Sequence, residues 1–314
     1  MVKELRATIF KIESLNTHNG PGFRTVVYFK GCPLNCNWCH NPESISPKKE
    51  IWVVKSKCIG CESCVQICPE EALSLTEKGI QVNRENCMGC QICADICPSK
   101  AIEKLGEDYT VDKLFNRILS DKVFWDTSGG GVTVTGGEPA TYPKFIKAFL
   151  KRCKEEGIHT AFDTSGFTSG KIMNEILPYT DLIFFDLKIM DIEKANKLTG
   201  QGTKQIMDSL QVVKAFVEKN GTPELQFRTP IIPGSTDGEN LTAIANKLKN
   251  EFDGLYSKWE LCMFNDICED KYAKMNKEWN YSGLKYSKPD YEKIVDFQKK
   301  HASTKIEISG FVSK

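Results

Sequence analysis

The sequence predicts an α/β protein in which a small α+β domain is inserted into an incomplete, TIM-like (β/α)6 barrel. From residue 131 onward, short apolar segments alternate with helical segments in about six units. This alternation indicates a parallel sheet with right-handed crossovers, but too few strands for a closed eight-stranded barrel. A cysteine-rich segment, residues 50–104, interrupts the alternation and contains its own repeat. We therefore expect one domain from residues 1–49 and 105–314 and a second from residues 50–104.

The composition is typical of a globular protein that needs no membrane. Hydrophobic residues make up 40% of the chain, and 42 basic residues balance 41 acidic ones to a net charge of +1. This balance gives no electrostatic case for a nucleic-acid or membrane partner. Residues 1–6 lack the apolar core of a signal peptide, and no segment is long enough to span a bilayer. We expect a cytoplasmic monomer, in which 14 cysteines indicate metal binding rather than disulfides.

Two strands are predicted at the start of the chain. Residues 7–15 alternate between apolar and polar side chains, and residues 24–30 are rich in β-branched and aromatic ones. The segment 31–40 follows the second strand directly. Because chemistry collects on loops at the carboxyl ends of parallel strands, this position favours a functional role for the segment.

Three cysteines occupy that segment, Cys32, Cys36 and Cys39, at the spacing C-x3-C-x2-C. Thiolates select iron–sulfur clusters, Zn(II) or Cu(I), and a structural zinc site normally takes four protein ligands. A [4Fe–4S] cluster held by three thiolates keeps one iron open, and that iron can bind a small molecule. The alternative is a zinc knuckle that takes His40 or a distant cysteine as its fourth ligand.

Eight further cysteines form two runs of C-x2-C-x2-C-x3-C-P, offset by 29 residues. This is the bacterial two-cluster ferredoxin pattern, in which the fourth cysteine of each run binds the other cluster. The expected quartets are Cys58, Cys61, Cys64 and Cys97, and Cys87, Cys90, Cys93 and Cys68. Clusters with four protein ligands serve electron transfer or structure. The remaining cysteines, Cys153, Cys262 and Cys268, are interpreted as packing residues.

Strands and helices alternate through the rest of the chain. Residues 105–125 predict a helix with Thr110 as its N-cap, and glycine-rich turns bracket a strand at 132–135. Further helices are expected at 141–156, 170–178, 191–199, 204–219, 238–252 and 289–301, and further strands at 159–163, 181–188, 225–230, 259–264 and 305–308. Charged and polar residues stand at or just past several strand ends: Asp163, Asp186, Lys188, Arg228 and Asn265. Their convergence at one barrel mouth favours a zwitterionic ligand.

Four motifs resemble the radical S-adenosylmethionine (SAM) superfamily, and within it the activating enzymes of glycyl radical enzymes. They are the cysteine segment 31–40, Asn19-Gly-Pro-Gly-Phe-Arg24, Asn41-Pro-Glu-Ser44 and Gly136-Gly-Glu138. The resemblance implies an incomplete barrel of the radical SAM type. It also implies three [4Fe–4S] clusters, of which Cys32, Cys36 and Cys39 hold the one that binds SAM.

The resemblance also implies the SAM contacts. The backbone of Gly136, Gly137 and Glu138 would receive the amino group of SAM. Asp163, Thr164 and Asp186 would lie near its carboxylate, in some members through a monovalent cation. Lys188 and Arg228 would supply positive charge to the carboxylate and ribose. The complete expected set of cofactor-binding residues is Trp38, His40, Gly136, Gly137, Glu138, Asp163, Thr164, Asp186, Leu187, Lys188, Arg228 and Asn265, with Lys188 and the three cysteines also assigned to catalysis.

The implied activity is reductive cleavage of SAM, followed by abstraction of a hydrogen atom from a backbone glycine of a partner glycyl radical enzyme. A flavodoxin or ferredoxin would supply the electron. Two alternatives remain: a radical SAM enzyme acting on a small molecule, and an iron–sulfur electron carrier without catalysis. The chain departs from the family pattern at Asn19, where some members carry Asp, and at Asn265, where some carry His.

Overall fold

The computed structural model describes residues 4–310; residues 1–3, part of the stretch without a signal-peptide core, and residues 311–314 lie outside it. The described strands are β1 Arg6–Asn16, β2 Arg24–Phe29, β3 Glu50–Val53, β4 Leu73–Thr76, β5 Gly79–Val82, β6 Ile102–Leu105, β7 Glu107–Thr110, β8 Gly131–Gly136, β9 His159–Thr164, β10 Leu182–Asp186, β11 Glu224–Ile231, β12 Lys258–Met263 and β13 Ile306–Ser309. The described α-helices are α1 Ser63–Gln66, α2 Ile92–Ile96, α3 Val111–Ile118, α4 Lys122–Ser128, α5 Pro143–Glu155, α6 Gly170–Ile176, α7 Ile192–Thr199, α8 Lys204–Asn220, α9 Glu239–Glu251, α10 Glu269–Lys274 and α11 Lys288–Lys300. Across residues 4–310, no helix has both the length and the apolar character needed to cross a membrane.

The main sheet of residues 4–310 has nine strands in the order β13-β12-β11-β10-β9-β8-β2-β1-β7. Strands β2 and β8 to β13 run parallel to one another, whereas β1 pairs antiparallel with both β2 and β7. Strands β2 and β8 to β12 are each followed by at least one helix before the next parallel strand. The expected incomplete parallel barrel is therefore confirmed.

One face of the barrel strands is buried in the main core, together with side chains from the helices. Phe29, Phe162, Phe185 and Phe227 are completely buried, and Phe227 makes edge-to-face contacts with Phe185 and with Phe252, which directly follows α9. Burial of each such ring contributes about 2–3 kcal/mol relative to exposure. Strand β10 is almost continuously apolar because residues on both faces of this parallel strand are buried. This packing fixes the carboxyl ends of the strands that carry the polar residues.

The largest difference from the sequence-based elements lies between residues 105 and 128. Instead of one helix over 105–125, the chain forms β7 and then the two short helices α3 and α4. Thr110 is the N-cap of α3, as expected, because its hydroxyl accepts a hydrogen bond from the Lys113 amide at 3.1 Å. The residues before it pair with β1 and extend the sheet. A strand of four residues with mixed polarity carries no periodic signal that separates it from a helix start.

The inserted domain, residues 50–104, contains two small antiparallel sheets, β3-β6 and β4-β5, together with α1 and α2. A separate apolar cluster fills it, including Ile51, Val53, Ile80 and Ile102. Backbone conformation repeats at the 29-residue offset: Glu62 and Gln91 both adopt positive φ, as do Glu71 and Lys100. Internal symmetry of this kind is expected of a duplicated sequence. The domain boundaries themselves stay a prediction.

The amino-terminal end of the barrel is closed by the completely buried Arg24. Its guanidinium donates to Thr133 Oγ1 at 3.0 Å and lies 3.0 Å from His159 Nδ1. Because an arginine can only donate, His159 Nδ1 must accept this bond and carry no proton. Burial, followed by the charge of Arg24, lowers the pKa of His159.

This arrangement predicts an acid-sensitive contribution to stability. A histidine with a lowered folded-state pKa adds stability above its unfolded pKa of about 6.5 and loses it as the pH falls through the depressed folded-state pKa. In the His159→Asn variant, Oδ1 can accept from Arg24 without titrating. We expect its urea midpoint to fall less than that of the parent protein between neutral and mildly acidic pH. Equal pH dependence in the two proteins would contradict the assignment.

Candidate active site

A cavity of about 400 Å³ opens at the carboxyl ends of the parallel strands. Cys32, Cys36 and Cys39 line one side of it, in the loop that follows β2. The other walls come from the ends of β8 to β12. Ten of the twelve expected cofactor-binding residues line the cavity: Trp38, His40, Gly136, Gly137, Asp163, Thr164, Asp186, Lys188, Arg228 and Asn265. Residues far apart in sequence therefore share one site, because parallel strands end at the same edge.

The cysteine loop is held along its length by backbone hydrogen bonds. Gly31 N donates to Ser44 O at 2.7 Å, and Asn35 N donates to Thr199 O, at the end of α7, at 2.8 Å. Burial raises the pKa of all three thiols, that of Cys39 to about 12. Free thiols in this loop would stay protonated near neutral pH. A metal that binds them must displace those protons, as metal binding to cysteine generally does.

Helix α10, which the sequence reading missed, closes over the outside of the cysteine loop. Lys271 Nζ donates to His40 O at 2.9 Å, to Asn41 Oδ1 at 2.9 Å and to Glu43 Oε1 at 2.7 Å. Tyr272 OH donates to Cys39 O at 2.9 Å. These residues stand some 230 positions after the loop, so no local pattern could have paired them. Contacts from α10 therefore hold the outer side of the cysteine loop, in addition to the backbone hydrogen bonds of Gly31 and Asn35.

We expect Lys271→Met to loosen this loop. Glu43 is 3% exposed and its Oε2 has no hydrogen-bond partner in residues 4–310, so loss of the ammonium would leave a buried carboxylate uncompensated. The free energy of unfolding should fall by about 2–3 kcal/mol. Lys274→Met on the same helix breaks a pair with the exposed Asp270 and a cation–π contact with Trp52, and should cost under about 1 kcal/mol. Urea denaturation measures both, and equal losses would argue against the assignment.

Arg228 on β11 connects two acidic side chains across the cavity wall. Its Nε donates to Glu260 Oε2 on β12 at 3.0 Å, and its NH1 lies 3.4 Å from Asp163 Oδ2 on β9. The guanidinium also lies 3.7 Å from the centre of the Phe184 ring. Burial lowers the pKa of Arg228, but the two carboxylates outweigh burial and the net shift is upward. The side chain is thus held charged and in one orientation.

The same arginine reaches the turn between β1 and β2. Its NH2 donates to His18 O at 3.1 Å, and its NH1 lies 3.5 Å from Asn19 Oδ1. Asn19 O in turn accepts from Thr133 Oγ1 at 2.6 Å. Asn19 therefore keeps a polar contact with the charged wall of the site although it lacks a carboxylate. The sequence reading missed Glu260, since an acidic residue at an alternating strand position resembles a solvent-facing one.

Asp186, the last residue of β10, and Lys188, two residues further on, form an ion pair at the cavity wall. Burial lowers the pKa of Lys188, but the Asp186 carboxylate and the nearby thiols of Cys36 and Cys32 together outweigh burial, and the net shift is upward. Burial raises the pKa of Asp163, which accepts a hydrogen bond from Thr135 Oγ1 at 2.8 Å. The site thus combines two fixed cations, Lys188 and Arg228, with carboxylates that face the same cavity. Such a wall suits a ligand that carries both charges.

Glu138 and Leu187, two of the expected cofactor contacts, do not line the cavity. Leu187 is 1% exposed, and its amide donates to Arg228 O at 2.8 Å. Glu138 is completely buried, and its carboxylate accepts from Thr164 Oγ1, Ser165 N, Ser165 Oγ and Ala140 N at 2.6–3.1 Å. Burial raises its pKa, against the effect of these donors. Its place in the structure is to tie the Gly136-Gly137 turn to the end of β9.

The two glycines of this turn are needed for space. A Cβ on Gly136 would lie 2.3 Å from Phe29 N, and one on Gly137 would lie 2.4 Å from Gly31 O. Gly136 also has φ +120°, which disfavours other residues. The turn therefore packs backbone to backbone against the start of the cysteine loop, and no side chain separates it from the cavity.

The remaining metal-type cysteines fall into two groups in the inserted domain. One small cavity is lined by Cys58, Cys61, Cys64 and Cys97, and another by Cys68, Cys87, Cys90 and Cys93. At equivalent positions of the two repeats, Ala72 N and Ala101 N donate to Cys68 Sγ and Cys97 Sγ, both at 3.3 Å. Amide donors to sulfur stabilise thiolate charge and tune cluster potentials. The structure thus brings together the two quartets that the repeat spacing predicts.

The chemistry of these donor sets fits iron–sulfur clusters. In residues 4–310, no three or more His, Cys, Asp or Glu side chains surround a single point closely enough to hold one metal ion. A four-iron cluster binds each cysteine through a different iron, so it needs thiols around a shared space. The three-cysteine loop borders such a space, and so does each quartet.

Comparison with known proteins decides the family. Residues 83–245 match the radical SAM superfamily, and residues 57–101 match a 4Fe–4S dicluster domain. The (2S)-3-sulfopropanediol dehydratase activating enzyme of Klebsiella oxytoca is 35% identical over 91% of both chains. The trans-4-hydroxy-L-proline dehydratase activating enzyme of Clostridioides difficile is 35% identical over 95% of this chain and 98% of its own. This chain belongs to the glycyl radical enzyme activating enzymes of the radical SAM superfamily.

The activating enzyme is also similar to the 4-hydroxyphenylacetate decarboxylase activating enzyme of Clostridium scatologenes, at 34% identity over 96% of both chains. Among solved structures, a radical SAM methyltransferase from Sphaerobacter thermophilus has a TM-score of 0.52 at 12% identity, over 98% of this chain and 77% of that one. That likeness concerns the fold alone. Membership of the family makes iron–sulfur clusters and SAM the cofactors of this enzyme.

Proposed function

We propose that this activating enzyme cleaves SAM reductively and uses the resulting 5′-deoxyadenosyl radical to take a hydrogen atom from a backbone glycine of a partner glycyl radical enzyme. The observation that carries the proposal is the cavity that has three cysteines on one side and paired carboxylates and cations on the other. When bound by Cys32, Cys36 and Cys39, a reduced [4Fe–4S] cluster supplies the electron that breaks the sulfur–C5′ bond of SAM. The chain's own residues bind and orient the substrate.

We assign the methionine end of SAM to the walls formed by β8 to β11. The amides of Gly137 and Glu138 already donate to Phe29 O and Gly31 O, both at 2.8 Å, so carbonyl oxygens of this turn would receive the ammonium group. Lys188 and Arg228 would attract the carboxylate. Asp163, Thr164 and Asp186 would orient it, in some arrangements through a monovalent cation.

The adenine end would lie against Trp38, His40 and Asn265. His40 and Phe264 meet edge to face, with ring centres 5.9 Å apart, and both line the cavity. Aromatic walls bind a base through stacking and exclude water from a radical. The two quartets of the inserted domain would hold two further clusters, for a total of three. A flavodoxin or ferredoxin would supply electrons to a monomeric enzyme.

Anaerobic reconstitution followed by chemical reduction tests the proposal. With SAM and a candidate partner that carries a glycine-radical loop, we expect 5′-deoxyadenosine, methionine and an EPR doublet on the partner. SAM cleavage without any doublet would favour a small-molecule substrate. No SAM cleavage in the fully reduced protein would favour a plain electron carrier.

A further inference from the structure

We propose that a cluster held by Cys68, Cys87, Cys90 and Cys93 would pass electrons to the cluster of the Cys32–Cys39 loop, and that Arg84 and Gln91 are the positioning residues that orient the inserted domain for this step. The proposal rests on the proposed function, since it concerns how that reaction receives its electron. The proposal assigns the order in which the two cysteine quartets of the inserted domain take part in electron transfer, which the sequence repeat alone leaves open. The other quartet, Cys58, Cys61, Cys64 and Cys97, becomes the one that meets the external donor.

A comparison of equivalent positions in the two repeats carries the argument. Gly89 is buried against the barrel side, and a Cβ there would lie 1.9 Å from Lys49 O. Gly60, the equivalent residue 29 positions earlier, has nothing within 4 Å of the same point. The second repeat therefore packs backbone to backbone on the segment that enters the inserted domain from the barrel, and the first repeat faces away from it.

Gln91 distinguishes the repeats in the same way. It is 7% exposed, and its Nε2 donates to Glu50 O, Leu105 O and Gly106 O at 2.9–3.3 Å. These three carbonyls belong to the two chain crossings between the inserted domain and the barrel. Its repeat equivalent, Glu62, has the same positive φ but is exposed to solvent. Because the Gln91 amide binds both segments that connect the inserted domain to the barrel, it restricts the orientation of the domain relative to the barrel.

Arg84 extends the contact to the cysteine loop itself. Its Nε donates to Met275 O at 2.8 Å, directly after α10, and its NH1 lies 3.4 Å from Glu50 Oε1. Glu50 Oε2 accepts from Lys30 Nζ at 2.8 Å, and Lys30 Nζ also donates to Glu43 O at 2.5 Å. The repeat equivalent of Arg84, Lys55, is exposed.

Lys30 is completely buried and stands two residues before Cys32. Two ion pairs, Arg84–Glu50 and Glu50–Lys30, and one hydrogen bond from Lys30 to Glu43 O therefore connect the second repeat with both ends of the loop that carries the active-site cysteines. Buried networks of this kind have one low-energy arrangement, because each charge left alone is costly. The second repeat is thus held at a fixed position beside the loop.

The electron-transfer step requires no bond changes. A low-potential one-electron protein donor, a flavodoxin or ferredoxin, would be oxidised as the cluster held by Cys58, Cys61, Cys64 and Cys97 is reduced by one electron. The second quartet would hold the cluster that receives this electron next, and Cys32, Cys36 and Cys39 would hold the final acceptor. Exposure does not distinguish the two quartets, because Cys61 and Ile59 are exposed in one and their equivalents Cys90 and Met88 are exposed in the other. The order rests on the packing of the second repeat against the barrel.

The first experiment compares Cys90→Ala with Cys61→Ala, two equivalent changes in the holoenzyme. A neighbouring paramagnetic cluster accelerates the spin relaxation of the reduced Cys32–Cys39 site. We expect Cys90→Ala to lower the microwave power for half-saturation of that EPR signal several-fold and Cys61→Ala to leave it nearly unchanged. An equal or larger effect of Cys61→Ala would overturn the order.

The second experiment needs no cysteine replacement and covers the case in which those variants fail to fold. Arg84→Met and its repeat-matched control Lys55→Met are compared by hydrogen exchange in the holoenzyme without SAM or donor. We expect about tenfold faster exchange in residues 38–45 and 49–53 for Arg84→Met only. Equal exchange in the two variants would remove Arg84 from the positioning role. Neither readout uses SAM or a partner, so either can fail while the proposed function holds.

Discussion

Replacing Cys36 by Ser is expected to abolish SAM cleavage while the inserted domain stays loaded with iron. Cys36 lines the cavity between Cys32 and Cys39, and a cluster on the remaining two thiols would lack a ligand. Because each four-iron cluster contributes equally, total iron should fall by about one third. The EPR signals of the two quartets should persist. Anaerobic iron analysis and 5′-deoxyadenosine assay measure the two effects on one sample.

The matched control is Cys153→Ala, which removes a completely buried thiol on α5 that does not line the cavity. We expect full iron content and SAM cleavage in this variant, with a modest loss of stability. Retention of all iron and of SAM cleavage in the Cys36→Ser protein would contradict the assignment of the loop.

Glu138→Gln should destabilise the protein by about 2–4 kcal/mol and weaken SAM binding. Each carboxylate oxygen of Glu138 faces an amide that can only donate: Ala140 N at 3.1 Å from Oε1, and Ser165 N at 2.8 Å from Oε2. A glutamine offers one oxygen and one NH2 group, so one of these amides would face another donor. Thr164, which lines the cavity and also binds this carboxylate, would lose its orientation.

Urea denaturation and the SAM concentration at half-maximal cleavage measure the two consequences. The control Glu155→Gln replaces an exposed glutamate on α5 whose nearest cation, Lys151, is 3.6 Å away. It should cost under about 0.5 kcal/mol and leave SAM binding unchanged. A Glu138→Gln protein as stable as this control would show that the buried carboxylate is not needed to shape the turn.

Much of this architecture could be predicted because strong local patterns accompany it. Buried parallel strands such as β10 are continuously apolar, and helices such as α8 are long enough to show their period. The cysteine quartets follow from spacing alone, since the crossed ligation of a duplicated ferredoxin is a property of its fold. The polar residues at the cavity could be placed together because parallel strands end at one edge.

The features that escaped prediction depend on contacts between distant segments. Helix α10 has six residues and is mainly charged, so its sequence does not indicate which surface it covers. Lys271 and Glu260 resemble ordinary surface charges until the loop and the arginine that they bind are in place. Lys30 stands at the end of a predicted strand, next to the cysteine motif, where its sequence gives no sign that it is completely buried. Burial of a charge can be inferred only when its partner is known.

The divergence between Arg84 and Lys55, and between Gln91 and Glu62, bears on how such a relay could arise. Duplication of a half-ferredoxin yields two equivalent halves, and neither half is then selected to face the electron acceptor. Substitutions in one half alone select which half faces the barrel and therefore the order in which the clusters pass the electron. A ferredoxin domain from another protein, inserted between β2 and β7 without equivalents of Arg84 and Gln91, would lack the contacts that select which repeat faces the barrel.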